Sequence, residues 1–407
     1  MHILFLAPYQ PYPPRGGGSL RIYNLARGLA AHHEVSILAF VPDQAAVDAL
    51  APLRELCHIA TVWAVPPRSL ARRALDTLSA SRPDMALRSA SRAYAEALSR
   101  MLAANRYDVV QAESLEMAGY ALRARGLGPR LVLDEFNAEY LLQRRAALVD
   151  LRQSLRLRPR ALAGGLYSLV QWQKLARYEA RMLRAFDRAL VVSEEDRATL
   201  ARLVPEAAAR LALVPNGVDT TYMRPGAVRG SLGPATIAFT GTLDYRPNLD
   251  ALRWFVAEIL PLIRQRQPAA RLLVVGRAAG EAVLSLAGEA VEIVGEVAEV
   301  APYINGAAIY VVPMRFGGGS RLKLLEALAL EAPVVSTSMG AEGLVGLRDG
   351  EHLLVADSPR AFADAALRLM DDPALGRHLG AAGRAHVVAH YDWSAAIPLL
   401  ERAYGIE

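Results

Sequence analysis

Residues 313–335 read PMRFGGGSRLKLLEALALEAPVV, and this stretch indicates how the chain folds there and what it binds. The apolar run 308–313 leads to three glycines at 317–319, and Ser320 then has the character of a helix N-cap. The apolar residues after Ser320 recur at helical spacing. A glycine-rich turn between a strand and a helix attracts anions, because bare backbone N–H groups and the helix dipole both favour a phosphate.

Charged side chains follow these glycines. Arg321 and Lys323 fall in the first helical turn, and Glu326 lies one turn further on the face of Lys323. The 46 basic residues include only two lysines, Lys174 and Lys323, and a lysine supplies a compact ammonium that suits phosphate. The pattern predicts a phosphate site; the alternative is a solvated pair of Lys323 and Glu326, worth about 0.2–0.5 kcal/mol.

Composition narrows the class of protein. A length of 407 residues predicts two or three domains, and 53% hydrophobic with 21% charged residues indicates a large core. The single cysteine, Cys57, excludes an internal disulfide and a cysteine-based metal cluster, and it fits a reducing cytosol. The net charge of +5 favours anionic partners. We expect no nucleic-acid partner, because the basic residues are dispersed and no nucleic-acid-binding motif occurs.

No targeting segment or membrane span is expected. The N-terminal apolar run ends at Pro8, and no uncharged apolar stretch approaches the roughly 18–20 residues of a span. We therefore expect a cytoplasmic protein. The arginine-rich stretches 67–107 and 140–187 either are solvated helix faces or form a basic surface for an acceptor or an anionic membrane. The second alternative would place the protein at the inner face of the membrane.

Short apolar runs alternate with helical patterns along the chain. Runs without polar alternation indicate strands buried on both faces, and hence parallel sheets covered by helices. These runs are 3–7, 35–40, 59–65, 109–111, 131–133, 189–192, 211–214, 237–239, 272–275, 291–294, 308–312, 334–335 and 353–355. With a turn-rich break at 215–234, they predict an α/β protein with two Rossmann-like domains and a ligand cleft between them.

Other motifs exclude several enzyme classes. The glycines at 16–18 precede a helix and suit either close approach of a ligand or a plain tight loop, but Arg21 breaks a G-x-G-x-x-G pattern. A dinucleotide-binding dehydrogenase is therefore disfavoured. Neither D-x-D nor H-E-x-x-H occurs, so we expect no metal. The absence of G-x-S-x-G and G-x-x-x-x-G-K-[ST] disfavours hydrolases and P-loop proteins.

Five motifs follow one another along the chain: the glycines at 16–18, VVSEEDRATL with LVPNGVDTTYMRP, FTGTLDYRPNLDALRWF, GGGSRLKLLEALALEAPVVSTSMGAEGL and HYDWSAAIPLLERAY. With these motifs the chain resembles, nearly from end to end, a glycosyltransferase of family 4, the retaining, nucleotide-sugar-dependent group with the GT-B fold. The form GGG-S-RLK-LLEALA is similar to a subgroup associated with exopolysaccharide and lipid-linked glycan synthesis.

The resemblance implies a domain for the acceptor at 1–218, a domain for the donor at 219–388, and a C-terminal helix at 389–407 that crosses back to the first domain. It also implies transfer of a hexosyl unit from a nucleoside diphosphate sugar to a glycan or lipid-linked acceptor, with retention of configuration. No bound cofactor is expected, and the oligomeric state is left open.

Specific residues follow from these motifs. Arg321 and Lys323 would stabilise the leaving diphosphate, and Glu326 would orient the ribose. The residues expected to bind the donor are Gly317, Gly318, Gly319, Ser320, Gly241, Thr242, Arg246 and Val297. The residues expected on the acceptor side are Gly16, Gly17, Gly18 and Glu113.

The chain departs from the family pattern at three of these positions. Gly318 stands where the first glutamate of the family's E-x₇-E pair is usual, and Thr242 stands where a basic residue is common. Glu113 lies in the region where the family often has a histidine. Three alternatives stay open: a GT-B-fold nucleotide-sugar epimerase, a phosphorylase with pyridoxal phosphate on one of the two lysines, and a non-catalytic protein that binds nucleotides or glycans.

Overall fold

Two separate parallel sheets form from the apolar runs of the chain. The computed structural model describes residues 1–14, 16–154, 159–226, 231–317 and 322–406. One structural unit comprises Met1–Pro215 and the residues from Ala396 onward, and the other comprises Asn216–Ala395. The expected domain bounds 1–218, 219–388 and 389–407 stay a prediction.

The first unit contains a seven-stranded sheet. Its strands are β1 His2–Ala7, β2 Glu34–Val41, β3 His58–Trp63, β4 Val109–Glu113, β5 Arg130–Glu135, β6 Arg188–Val191 and β7 Leu211–Leu213. The strand order is β3-β2-β1-β4-β5-β6-β7, and all neighbours are parallel. Its helices are α1 Gly17–Ala30, α2 Gln44–Ala49, α3 Ala51–Arg54, α4 Leu70–Ser79, α5 Asp84–Arg88, α6 Arg92–Ala104, α7 Ala118–Ala121, α8 Glu139–Ser154, α9 Pro159–Ala185 and α10 Glu194–Leu203.

The second unit contains a six-stranded sheet. Its strands are β8 Thr236–Thr240, β9 Arg271–Val275, β10 Val291–Gly295, β11 Ile309–Val312, β12 Val334–Ser336 and β13 Leu354–Val355. The order is β10-β9-β8-β11-β12-β13, again with parallel neighbours. The helices are α11 Arg246–Trp254, α12 Leu260–Arg266, α13 Glu281–Leu284, α14 Ala301–Gly306, α15 Leu322–Ala329, α16 Ser338–Ala341, α17 Pro359–Asp371 and α18 Pro373–His390. The last helix, α19 Trp393–Tyr404, begins in this unit and continues in the first.

These sheets confirm the predicted fold class of two Rossmann-like parallel-sheet domains. Each of the thirteen predicted apolar runs overlaps a strand. The central strands are buried on both faces because helices cover the sheet on both sides; all residues of Ile3–Ala7 and of Ile237–Phe239 are fully buried. An uninterrupted apolar run in the sequence therefore predicted the strands correctly.

The C-terminal helix α19 packs within the first unit from Ala396 onward. The Tyr404 hydroxyl donates to Gln111 Oε1 in β4 at 2.6 Å. The Tyr404 carbonyl accepts from Arg130 Nη1 of β5, also at 2.6 Å. Gly28 of α1 provides room for Ile397, because a Cβ at Gly28 would overlap that side chain. The helix is thus fixed by polar contacts at its end and by close packing on α1.

Strand order reverses once in each sheet, between β1 and β4 and between β8 and β11. Ligands of doubly wound sheets bind beyond the carboxyl ends of the strands at such a switch point. The loops that follow β8 and β11 contain Gly241 and Gly317, and the loop that follows β1 contains Gly16. The glycines identified from the sequence therefore lie where ligands of doubly wound sheets bind.

Candidate active site

Lys323 lies in the first turn of α15 and reaches the carboxyl end of β8. Its Nζ donates to Asn248 Oδ1 at 2.7 Å and lies 4.1 Å from the centre of the Phe239 ring. The side chain is half-buried. An aromatic face and an amide oxygen both attract a cation, so the ammonium is held at the switch point of the second sheet.

The turn after β8 is shaped by glycine. Gly241 has φ 153°, a region that side chains rarely adopt, and its N–H donates to the Val275 carbonyl at 3.0 Å. A Cβ at Gly241 would lie 2.9 Å from Lys323 Nζ and 2.8 Å from Asn248 Nδ2. A Cβ at Gly276 would overlap the Gly241 carbonyl. Glycine at both positions lets the backbone and the ammonium approach each other closely.

Glu326 stands one turn after Lys323 on the same helix. Burial raises the pKa of its carboxyl to about 7, and the nearby charge of Lys323 limits that rise. Burial raises the pKa of the Tyr310 phenol in β11, and the charge of Glu326 adds to that rise. The Tyr310 and Thr240 hydroxyls are 2.6 Å apart. An ammonium and a titratable carboxyl therefore share this edge of the second sheet.

The structure places four further expected donor residues, Thr242, Arg246, Val297 and Gly317, in the loops and turns that follow strands of the second sheet. The Thr242 carbonyl accepts from Asn248 Nδ2 at 2.8 Å. Arg246 is exposed at the start of α11, and Val297 is half-buried in the loop after β10. Gly317 is buried, with φ 149°, in the loop after β11. Four of the expected residues, Gly318, Gly319, Ser320 and Arg321, lie outside the described residues.

In the first unit, the glycines at 16–18 form the entry to α1. Gly16 precedes the helix with φ 96°, and its carbonyl accepts from the Leu20 N–H at 2.9 Å. Gly17 is exposed. A Cβ at Gly18 would overlap the Tyr9 hydroxyl. The loop thus packs closely against the segment after β1.

Glu113, at the end of β4, has a fully buried side chain. Its Oε1 accepts from Gln111 Nε2 at 2.7 Å, and its Oε2 has no hydrogen-bond partner among the residues that the structure describes. Burial raises the pKa of Glu113 well above its ordinary value, and the charge of Asp134 adds to the rise. Asp134 itself pairs with the buried Arg21 at 2.6 Å. Glu113 therefore belongs to an interior polar network, and its role toward an acceptor stays a prediction.

Sequence reasoning missed Asn248, the partner of Lys323. Its only local signal was a position in the first turn of a helix, where asparagine side chains commonly form hydrogen bonds with nearby backbone groups. The contact joins residues 75 positions apart, and no periodicity reports such a pair. Tyr310 was missed because a tyrosine inside an apolar run is typical of a strand core.

Among the residues that the structure describes, no group of three or more histidine, cysteine, aspartate or glutamate side chains is arranged to hold a metal ion. In the same part of the chain, no helix is long and apolar enough to cross a membrane.

Comparison with known families identifies the class of protein. The model for Glycosyltransferase Family 4 matches residues 15–222, and the model for Glycosyl transferases group 1 matches residues 234–372. The first match alone covers half of the chain. The chain therefore belongs to glycosyltransferase family 4, as its motifs predicted.

Curated relatives share parts of the sequence. A phosphatidyl-myo-inositol mannosyltransferase of Mycobacterium leprae is 33% identical over 201 residues, which cover 47% of this chain and 52% of the relative. An uncharacterized 44.6 kDa protein in the cps region of Klebsiella pneumoniae is 30% identical over 136 residues, 31% of this chain and 35% of the relative. The chain spans about half the length of the first of these relatives.

Solved structures share the whole architecture. Sucrose-phosphate synthase from Thermosynechococcus elongatus superposes with a TM-score of 0.71 at 19% identity, covering 100% of this chain and 98% of that chain. The Anabaena HepE protein in complex with UDP gives a TM-score of 0.67 at 14% identity, covering 99% of both chains. At these identities the likeness shows the fold, which is that of GT-B glycosyltransferases.

Proposed function

We propose that this protein transfers a hexosyl unit from a nucleoside diphosphate sugar to a glycan or lipid-linked acceptor, with retention of configuration. The observation that carries the proposal is the ammonium of Lys323, held beside Gly241 at the switch point of the second sheet. Membership of family 4 and the UDP bound by a protein of the same fold support this assignment.

Charge stabilisation is the main task of the donor site on this proposal. The bond between the sugar C1 and the diphosphate oxygen breaks, and a bond from C1 to the acceptor oxygen forms on the same face of the sugar. The acceptor proton passes to the departing diphosphate. Lys323, with Arg321 as a second cation, offsets the charge that develops on that leaving group, and this lowers the barrier to transfer.

Glu326 is the proposed partner of the ribose hydroxyls. A carboxylate accepts hydrogen bonds from two hydroxyl groups at once, while a protonated carboxyl loses part of this capacity. Because the pKa of Glu326 is about 7, nucleotide binding should strengthen as the pH rises through neutrality. Val297 would lie near the base, and Arg246 is a further candidate for the phosphates.

The acceptor is proposed to bind the first domain at Gly16, Gly17, Gly18 and Glu113. The mycobacterial relative is named for a lipid-linked acceptor, and the Klebsiella relative for a cps region. Together with the exopolysaccharide-type motif, these names support a role in cell-surface polysaccharide synthesis. Such acceptors would draw the enzyme to the inner face of the membrane.

Incubation with a panel of nucleotide sugars tests the proposal. We expect nucleoside diphosphate release with one donor only when lipid or glycan extract is present, and unchanged release in the presence of a chelator. Conversion of the nucleotide sugar with no acceptor would indicate an epimerase instead. Phosphate-dependent cleavage of a glycan would indicate a phosphorylase, and binding without turnover of any donor would indicate a non-catalytic protein.

A further inference from the structure

A neutral side chain holds the ammonium of Lys323. Its Nζ donates to Asn248 Oδ1 at 2.7 Å, and the Phe239 ring centre lies 4.1 Å away. An amide oxygen and an aromatic face attract a cation without cancelling its charge, which a carboxylate would do. The two contacts therefore direct the ammonium, and neither contact brings a negative charge to it.

Asn248 is itself fixed on both sides. Its Nδ2 donates to the Thr242 carbonyl at 2.8 Å, and the residue is only 4% exposed. An ammonium can only donate and a carbonyl can only accept, so a single orientation of the amide satisfies both neighbours. The amide thus connects the turn after β8 with the first turn of α15.

The space beside this pair is kept free of a side chain. Gly241 faces both Asn248 and Lys323, and a Cβ there would come within 2.8 and 2.9 Å of their nitrogen atoms. The turn after β8, the first turn of α11 and the first turn of α15 therefore meet at one ammonium group.

We propose that Asn248 is a positioning residue that aims the Lys323 ammonium at the diphosphate of the donor. This inference rests on the proposed function. An amide at position 248 orders the long lysine side chain before the donor arrives, so binding loses less conformational entropy. A carboxylate at the same position would pair with the lysine and would also repel the diphosphate.

Two substitutions of Asn248 distinguish the loss of lysine positioning from the effect of an added negative charge. Asn248→Ala removes the acceptor, and Asn248→Asp keeps its shape but adds a negative charge. We expect calorimetry with UDP and GDP to show an affinity loss of about tenfold for the alanine variant, and at least as much for the aspartate variant. Gln265→Glu, on the exposed surface of α12, makes the same amide-to-carboxylate change and should alter affinity less than about twofold.

The double variant decides whether Asn248 acts through the lysine. In a Lys323→Ala background, Asn248→Ala should cause no further loss of diphosphate affinity or of kcat/KM, because the group that it positions is gone. An equal loss in both backgrounds would overturn the proposal and assign Asn248 a purely structural role. Wild-type affinity in Asn248→Asp would also overturn it.

The contact can also be observed without any nucleotide. The chain has only two lysines, so protein labelled with ¹³C-lysine gives two side-chain signals. Asn248→Ala should shift one of them, while Lys174, which donates to the Thr77 and Ala80 carbonyls at 2.5 and 2.7 Å, serves as the internal reference. Unchanged signals with intact diphosphate binding would overturn the role of Asn248 alone. Wild-type protein that binds neither diphosphate would overturn the proposed function itself.

Discussion

At the scale of single residues, Lys323 decides whether the second sheet carries a donor site. Lys323→Ala removes a charged hydrogen-bond donor, a contact worth about 1.5–3 kcal/mol. We expect kcat/KM to fall by roughly tenfold to somewhat over a hundredfold, with weaker nucleotide binding. Steady-state kinetics and nucleotide calorimetry measure both effects.

Two controls for Lys323→Ala are a charge-conserving substitution at the same position and an alanine substitution of the other lysine. Lys323→Arg should restore only part of the activity, because a planar guanidinium does not replace a compact ammonium. Lys174→Ala removes the other lysine of the chain, which lies in the first unit, and should leave kcat/KM close to that of the wild type. Unchanged kinetics in Lys323→Ala would favour the solvated surface pair instead.

Glu326 gives a prediction about pH. The folded state raises its pKa from 4.5 to about 7, so between these values the folded protein holds a proton that the unfolded chain has released. Stability is therefore lost as the pH rises through this window, by up to about 3 kcal/mol, and Glu326→Gln should abolish the loss. Melting curves at pH 5 and pH 8 should show that the melting temperature of the glutamine variant, relative to that of the wild type, is higher at pH 8 than at pH 5.

Glu281→Gln tests whether this pH effect belongs to Glu326. Glu281 is an exposed glutamate of the same unit, at the start of α13. Its substitution should give melting temperatures that follow the wild type at both pH values. A Glu326→Gln variant that behaves in the same way would show that the carboxyl of Glu326 titrates near its ordinary value.

At the scale of elements, the N-terminus of helix α8 is capped by a glutamate side chain of helix α9. The N–H groups of Glu139 and Tyr140 donate to Glu179 Oε1 and Oε2 of α9, each at 2.9 Å. Glu179→Ala leaves both donors without this acceptor, and an unsatisfied buried donor costs about 1–3 kcal/mol. We expect destabilisation of about 2 kcal/mol or more, with faster amide exchange in residues 138–142.

Two variants make this prediction specific. Glu179→Gln retains one acceptor oxygen and should lose less stability than the alanine variant. Glu206→Ala breaks an exposed ion pair with Arg184 and should change stability far less than Glu179→Ala, because solvent screens such a pair. Equal effects of Glu179→Ala and Glu206→Ala would mean that the cap contributes little to α8.

The strands were predictable from the sequence, whereas contacts between distant parts of the chain were not. The strands were predictable because burial on both faces leaves a continuous apolar run, as in Ile3–Ala7. The role of Gly241 toward the donor stays a prediction from the resemblance, and the structure adds that glycine at this position lets the Lys323 ammonium approach the backbone. The cap of α8 by Glu179 and the Asn248–Lys323 contact were not predictable, because each joins groups that are distant in sequence.

At the scale of the whole molecule, the net charge of +5 and a pI near 9.4 predict reversible attachment to anionic membranes. Surface attraction to acidic lipid is about 1 kcal/mol for each basic residue near the bilayer, so a few arginines suffice. Arg72 on α4 and Arg144 on α8 are exposed members of the two arginine-rich stretches. Flotation should recover the protein with anionic vesicles at low salt but not with neutral vesicles.

A pair of matched variants distinguishes a basic surface from net charge. Reversing Arg72 and Arg144 to glutamate changes the net charge by the same amount as reversing Arg253 and Arg266, which are exposed in the second unit. If the arginine-rich helices meet the membrane, the first pair should reduce flotation far more than the second, and added salt should weaken what remains because it screens surface charge. Equal reduction by both pairs would indicate that net charge alone draws the protein to lipid, and no flotation of the wild type at low salt would leave these arginines as solvated helix faces.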